Sequence, residues 1–251
     1  MFKIKIIVVL LCSLPLFALG QTTGTKQAPL NTNSKKMKVE IWSDVVCPFC
    51  YIGKRKFEQA LEKFPHKDQV EIVWKSFQLD PEAPSEGTDY LKNLSERKGW
   101  SLEQTKEITS NVTQMASEVG LTYHFEKAIS ANSFDAHRLS HYAHTRGLQD
   151  AAEEALFKSH FTEGKNIANH DMLTKLGMSI GLDSTEVKQM LDGKAFTTEV
   201  QQDIQEASEL RISGVPFFVF DRKYAISGAQ ATEVFMQTLK KAFETWEGAK
   251  P

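Results

Sequence analysis

Cysteine is scarce in this chain. Three are present among 251 residues, Cys12, Cys47 and Cys50. That is too few for a disulfide-stapled scaffold, and a structural zinc site, with about four ligands, usually takes two cysteine pairs where this chain has one. No excess of one charge exists either. Thirty Lys and Arg face 32 Asp and Glu, a net charge of −2, so no global basic field points to nucleic acid. Glycine and proline, 14 and 8 in number, are too sparse for a collagenous or low-complexity chain. The longest apolar stretch falls short of the ~20 residues a membrane span needs. No phosphate loop, dinucleotide fingerprint or Ser-His-Asp pattern is visible. What remains is ordinary: 41% apolar, 25% charged and 10% aromatic residues. The length suits one large domain or two small ones, so function must come from particular residues.

The chain opens Met1-Phe2-Lys3-Ile4-Lys5 and then runs apolar from Ile6 to Leu19. Two lysines before such a stretch fit the first two regions of a secretory signal. Ala18-Leu19-Gly20 then offers small side chains at the positions a signal peptidase reads. Residues 1–20 are expected to be a signal peptide cut after Gly20. The protein is expected to be exported, periplasmic or secreted, with no membrane span in the mature chain. Cleavage would leave Cys47 and Cys50 as its two cysteines. Residues 21–36 carry too few apolar groups to bury and read as a flexible leader.

Lys38-Val39-Glu40-Ile41-Trp42-Ser43 alternates polar and apolar residues, the period of a strand. Cys47-Pro48-Phe49-Cys50 follows, and Phe57, Ala60, Leu61 and Phe64 then recur at helical spacing. Pro48 suits a first helical turn, where its missing N–H costs nothing. Cys47 is therefore expected at the helix N-terminus and Cys50 one turn inside. Unpaired backbone N–H groups and the positive end of the helix dipole favour a thiolate there, and the thiolate is the attacking species in disulfide exchange. Cys47 reads as the exposed nucleophile and Cys50 as the shielded cysteine that resolves the mixed disulfide. A bridge between residues three apart closes too small a loop to be of structural use. Haem attachment wants His after the second cysteine, and here that residue is Tyr51.

Val70–Leu79 alternates as a second strand, expected parallel to the first across a βαβ unit. From Ser85 to Leu210 the pattern is helical. Ser101-Leu102-Glu103-Gln104 is a capping box, and Gly120, Gly147, Gly164, Gly181 and Gly193 end successive helices. Val215–Phe220 and Tyr224–Ser227 form a hairpin, and a helix from Ala231 to Trp246 closes the chain. His137, His141 and His144 share one helical face, but no carboxylate or cysteine clearly completes a metal site. Asp44, three residues before Cys47, and His137 stand as candidates for a proton relay or cleft lining.

These blocks resemble the DsbA family of thioredoxin-fold oxidoreductases. More closely they resemble its FrnE-like branch, related to hydroxychromene-carboxylate isomerases. The resemblance rests on residues 43–53, 132–139, 161–164, 213–218 and 227–230, in family order. It implies an α/β, thioredoxin-like fold from residues 37–84 and 211–248, with a large helical insertion over 85–210. It also implies a cis Val215-Pro216 peptide facing the cysteines, with Val215, Pro216 and Phe49 meeting substrate. The expected activity is disulfide exchange with cysteine-containing proteins, without a cofactor, supported by an unidentified redox partner. Glutathione stays open as a co-substrate. The alternatives are a glutathione-dependent isomerase or transferase of the kappa/hydroxychromene-carboxylate isomerase type, in which Ser would be expected at position 47, and a non-catalytic binding module. With Phe49 adding no positive charge between the cysteines, a redox potential below that of DsbA is expected.

Overall fold

The computed structural model describes residues 36–249. The expected signal peptide and the leader up to residue 35 lie outside the described residues. The order of elements is β1 (Met37–Ser43), α1 (Pro48–Glu62), β2 (Val70–Ser76), β3 (Thr88–Asp89), α2 (Tyr90–Lys98), α3 (Leu102–Ser117), β4 (Ile129–Ser130), α4 (Phe134–His144), α5 (Gln149–Phe161), α6 (His170–Ser179), α7 (Ser184–Asp192), α8 (Thr197–Glu209), β5 (Phe217–Phe220), β6 (Tyr224–Ser227) and α9 (Thr232–Glu247). Four strands form one mixed sheet in the order β2-β1-β5-β6. β1 runs parallel to β2 and antiparallel to β5, and β5 and β6 are the expected hairpin.

The period of two along β1 sends its side chains to opposite faces. Met37, Val39 and Ile41 join Phe57 of α1, Phe218 and Phe220 of β5, and Phe235 and Phe243 of α9 in one core. Trp42, on the other face, packs with Ala207, Ile212 and Val219. A third cluster, built mainly by α4 to α7, centres on Leu139, Leu156, Leu173 and Val187. This is a thioredoxin-like α/β fold with a large helical block between β2 and β5.

β2 lies at the sheet edge, where free backbone groups invite unwanted pairing. Two helices of the block close that edge. Gln149 of α5 accepts from Trp74 N at 3.2 Å and donates to Trp74 O at 3.0 Å. Asp203 of α8 accepts from Ser76 N at 2.9 Å. A buried lysine fastens the same block to α1. Lys54 meets Glu58, Asp150 and Glu154. Burial opposes its charge, but the three carboxylates outweigh burial and raise its pKa. On α4, the buried Arg138 guanidinium gathers the carbonyls of Ala195, Leu191, Met190 and Gly193 at the end of α7, which are the acceptors a helix terminus leaves unpaired.

Several details depart from the sequence reading. β2 stops at Ser76 rather than Leu79, because β1 ends at Ser43 and offers no further partner. Phe77 N makes a last bond to Ser43 O at 2.9 Å, and Leu79 N turns to the Asp44 carboxylate. The β3–β4 pair inside the helical block was not expected, since two-residue strands carry no period to detect. The capping box is present in full: Ser101 Oγ accepts from Gln104 N at 3.1 Å, and Gln104 Oε1 accepts from Ser101 N at 2.8 Å.

One glycine is set by close approach. A Cβ on Gly53, in α1, would stand 2.9 Å from Pro216 Cγ and 3.5 Å from Phe218 Cζ. A proline ring has little freedom to yield. Gly53→Ala is therefore expected to destabilise the fold by about 1–3 kcal/mol, the usual cost of overpacking. Urea unfolding measures this, and an unchanged midpoint would contradict the contact.

Candidate active site

Cys47 is the N-cap of α1, with extended backbone at φ −92° and ψ 113°, and Pro48 opens the helix. No side chain caps this terminus; Pro48 carries no N–H, so the Phe49 N–H is the first donor of the helix. Cys47 N donates to Asp44 O at 2.9 Å and Cys50 N to Cys47 O at 3.0 Å, which winds the Cys-Pro-Phe-Cys turn. Both cysteines are free thiols. The cis Val215-Pro216 peptide brings the Val215 carbonyl to the turn, and Cys47 Sγ donates to it at 3.5 Å. Pro216 is buried against Gly53, and Phe49 projects at 39% exposure. The structure thus brings Cys47, Cys50, Phe49, Val215 and Pro216 together at one place.

Cys47 itself is less accessible than the sequence implied. It is 4% exposed, against 1% for Cys50. The expectation of an exposed nucleophile is corrected here. Val112 and Phe125 of the helical block share a buried cluster with both cysteines. Cys47 lies in the wall of a cavity of about 450 Å³, bounded mainly by α2, α3, the cysteine turn and Gly214-Val215.

Asp44 is buried and has three partners. Its carboxylate accepts from Val46 N at 3.3 Å and Leu79 N at 2.7 Å, and meets His137 Nε2 at 3.5 Å. Its backbone faces Cys50. His137 also lies 3.0 Å from Phe77 O. Burial opposes charge on His137, yet the Asp44 carboxylate, with Glu153 beyond it, outweighs burial and raises its pKa. The other two histidines of that face go elsewhere. His144 Nδ1 lies 3.1 Å from Gln149 Oε1. His141 Nε2 lies 3.2 Å from Ser76 Oγ and 2.9 Å from Asp203 Oδ2. This last trio has the composition of a hydrolase triad without its geometry, because both partners meet the same ring nitrogen and a triad needs one on each.

Burial pushes the Cys50 thiol well above its ordinary value, and the neighbouring Cys47 adds to the rise. The Ser43 hydroxyl and the Asp44 backbone pull it partly back. Ser43 lies on the β1 face that points toward α1, and its buried Oγ has no regular hydrogen bond. Sequence reasoning passed over Ser43, although the strand period would have placed it. Tyr123 was also missed; its hydroxyl donates to Pro48 O at 2.7 Å, and its ring stacks on Tyr51 with centroids 6.1 Å apart. No spacing links it to the cysteines. His160 sits behind the site against Tyr90 and Phe161. Burial holds its pKa at about 4, so its imidazole is neutral.

A dithiol at the N-terminus of the first helix of a thioredoxin-like sheet, opposite a cis-proline loop, defines a protein of the DsbA class. The chain belongs to the family described as the DSBA-like thioredoxin domain, which it matches over residues 38–240, and whose members are disulfide oxidoreductases and isomerases. It is 40% identical to a probable DsbA oxidoreductase from Streptomyces coelicolor, whose structure superposes with a TM-score of 0.80 over 86% of this chain and 92% of that one. It is 30% identical to the uncharacterized protein YwbO of Bacillus subtilis, over 80% of this chain and 94% of that protein. A 2-hydroxychromene-2-carboxylate isomerase shares the fold at 14% identity and a TM-score of 0.61, over 86% of this chain and 100% of the isomerase.

The Asp44–His137 pair gives a pH dependence with a definite sign. A histidine whose pKa is raised on folding adds stability that is complete below its ordinary value, about 6.5, and is lost as pH rises through the folded value. His137 is expected to titrate above 6.5 by NMR, and Asp44→Asn to shift that titration downward. An unmoved titration would show that the carboxylate does not hold the imidazole.

Proposed function

We propose that this chain is an exported thiol–disulfide oxidoreductase that exchanges disulfides with cysteine-containing proteins through Cys47 and Cys50. The observation that carries this reading is the placement of the two sulfurs. Cys47 stands at an uncapped helix N-terminus beside the Val215 carbonyl, and Cys50 lies one turn behind it and buried.

The exchange follows from that placement. Cys47 Sγ, as a thiolate, attacks one sulfur of the substrate disulfide. A Cys47–substrate bond forms, the substrate bond breaks, and the second substrate sulfur leaves as a thiolate. Cys50 gives up its proton and attacks Cys47 Sγ. The Cys47–Cys50 bond forms and the first substrate sulfur departs, so two electrons pass from the pair to the substrate. The reverse sequence oxidises a substrate dithiol. The high pKa of buried Cys50 keeps it protonated until the mixed disulfide forms, which favours attack by Cys47 first. Asp44 and His137 act as positioning residues, holding the turn between β1, β2 and α4. The backbone beside Pro216 offers an extended substrate segment a strand-like partner. A partner of opposite redox state must recharge the pair after each cycle. The leading segment, with its two lysines and apolar run, supports export to an oxidising compartment.

A second reading draws on the burial of Cys47. A sulfur in the wall of a cavity also suits a small thiol such as glutathione, in the manner of an isomerase or transferase. Cys50 favours the redox reading, since a glutathione isomerase has no use for a resolving thiol.

Cys47→Ser is expected to lower turnover of a model disulfide at least 10³-fold, because the hydroxyl cannot replace the thiolate as a nucleophile. Cys50→Ser is expected to accumulate mixed disulfides on Cys47, visible as covalent adducts on non-reducing gels and by mass spectrometry. Full turnover by Cys47→Ser would overturn the assignment. Isomerase activity with tight glutathione binding that survives Cys50→Ala would favour the second reading.

A further inference from the structure

Ser43 is buried, and its hydroxyl has no regular hydrogen bond. A buried polar group left unpaired is costly, and in a native fold it calls for a reason. Its place supplies one. Ser43 is the last residue of β1, and the strand period sends its side chain to the face of Val39 and Ile41. That face is covered by α1, which opens at Pro48 and carries Cys50 inward at 1% exposure. The Ser43 hydroxyl and the Asp44 backbone N–H both face the Cys50 sulfur. The Asp44 carboxylate is engaged elsewhere, with Val46 N, Leu79 N and His137.

A thiol is a weak hydrogen-bond acceptor, so in the dithiol the hydroxyl gains little from Cys50. A thiolate is a far better one, because a hydrogen bond to an ionised partner is roughly twice as strong as a neutral one. The partner that Ser43 lacks at rest therefore forms when Cys50 gives up its proton. Closure of the Cys47–Cys50 bond removes the charge and the hydrogen bond with it. The interaction belongs to the step between, and an interaction confined to that step accelerates it. Fixed donors in a place closed to water act in this way on developing charge. Burial makes the help necessary, since desolvation opposes ionisation of Cys50.

We propose that the Ser43 hydroxyl and the Asp44 N–H form a two-donor cradle for the Cys50 thiolate, which speeds resolution of the mixed disulfide. The proposal rests on the redox reading of Cys47 and Cys50. Cys50 loses its proton to water, and its sulfur, held by the two donors, attacks Cys47 Sγ. The Cys47–Cys50 bond forms and the Cys47–substrate bond breaks. The substrate sulfur leaves with the bonding pair and takes up a proton, which balances the one Cys50 released. Cys50 is oxidised and the departing sulfur reduced, while Ser43 keeps its own proton throughout. Two titratable groups face Cys50, Cys47 on its own helix and Tyr123 ahead of β4. Cys47 is spent in the mixed disulfide, and burial holds the Tyr123 hydroxyl well above its ordinary range. His137 lies beyond Asp44, and its titration is common to the unaltered chain and a Ser43 variant.

The test uses the full chain, reduced with dithiothreitol, desalted and mixed with an excess of the disulfide homodimer of a one-cysteine peptide. Rapid acid quench, alkylation and mass spectrometry separate dithiol, mixed disulfide and closed pair. Ser43→Ala is expected to slow closure about tenfold, the effect of losing one hydrogen bond to a charged group. The rise of the closure rate with pH is expected to move upward by about one unit, because Cys50 ionises less readily without the donor. Formation of the adduct on Cys47, measured in Cys50→Ser with and without Ser43→Ala, is expected to keep its rate. No resting hydrogen bond is lost, so the urea midpoint of reduced Ser43→Ala is expected to match or exceed that of the unaltered chain. Closure at an unchanged rate, an unmoved pH profile, equal slowing of both steps, or a lowered midpoint would each overturn the cradle while leaving the redox reading in place. Failure of the unaltered chain to close the pair would instead sink the redox reading and the cradle with it.

Discussion

Asp44 is buried where β1 ends, and an ionised carboxylate in such a place costs several kcal/mol unless its partners are complete. Its partners come from three directions: Val46 in the turn before Cys47, Leu79 in the segment leaving β2, and His137 on α4. The same residue's carbonyl accepts from Cys47 N and so sets the start of α1. The sheet, the cysteine turn and the helical block therefore converge on one side chain. The position of Cys47 relative to Val215 depends on all three being held together. A residue that the sequence offers as a candidate for a proton relay or cleft lining is thus the anchor of the site.

The helical block determines how the cysteines are reached. A bare βαβ unit would leave the N-terminus of α1 open to solvent. Here α2, α3 and the aromatic residues Tyr123 and Phe125 cover it, and the sulfur is left with a cavity as its approach. The helical block is joined to the sheet and α1 at several points. Lys54 ties α1 to α5 through Asp150 and Glu154, Gln149 and Asp203 seal β2, and Tyr123 pins the Pro48 carbonyl. Burial also raises the pKa of the Cys50 thiol. One thiol faces the approach to substrate while the other is kept protonated behind it, an order that two-step exchange requires.

Much of this was legible in the residues. The strand period of β1, the proline after Cys47 and the glycine-bounded helices placed the dithiol at a helix N-terminus. The resemblance to a known family placed the cis-proline loop opposite it. What escaped was long-range or very short. The burial of Cys47 depends on Val112 and Phe125, which are more than sixty residues away and carry no signature of that contact. β3 and β4 are two residues each, too short for any periodicity. Lys54 looks like an ordinary solvent-facing helix lysine until α5 brings Asp150 and Glu154 beside it. The triplet His137, His141 and His144 reads as one helical face, yet each ring meets a different set of partners in the fold.

Disulfide exchange requires Cys47 and Cys50 to form a reversible redox pair, and titration of the folded protein against glutathione and dithiothreitol buffers tests this most directly. The thiol state is read by alkylation and mass spectrometry. Phe49 adds no positive charge between the cysteines, so one two-electron transition is expected between the reference potentials of DsbA, about −120 mV, and thioredoxin, about −270 mV. A pair that remains oxidised below about −300 mV would behave as a structural bridge, and would contradict a catalytic role for the two cysteines.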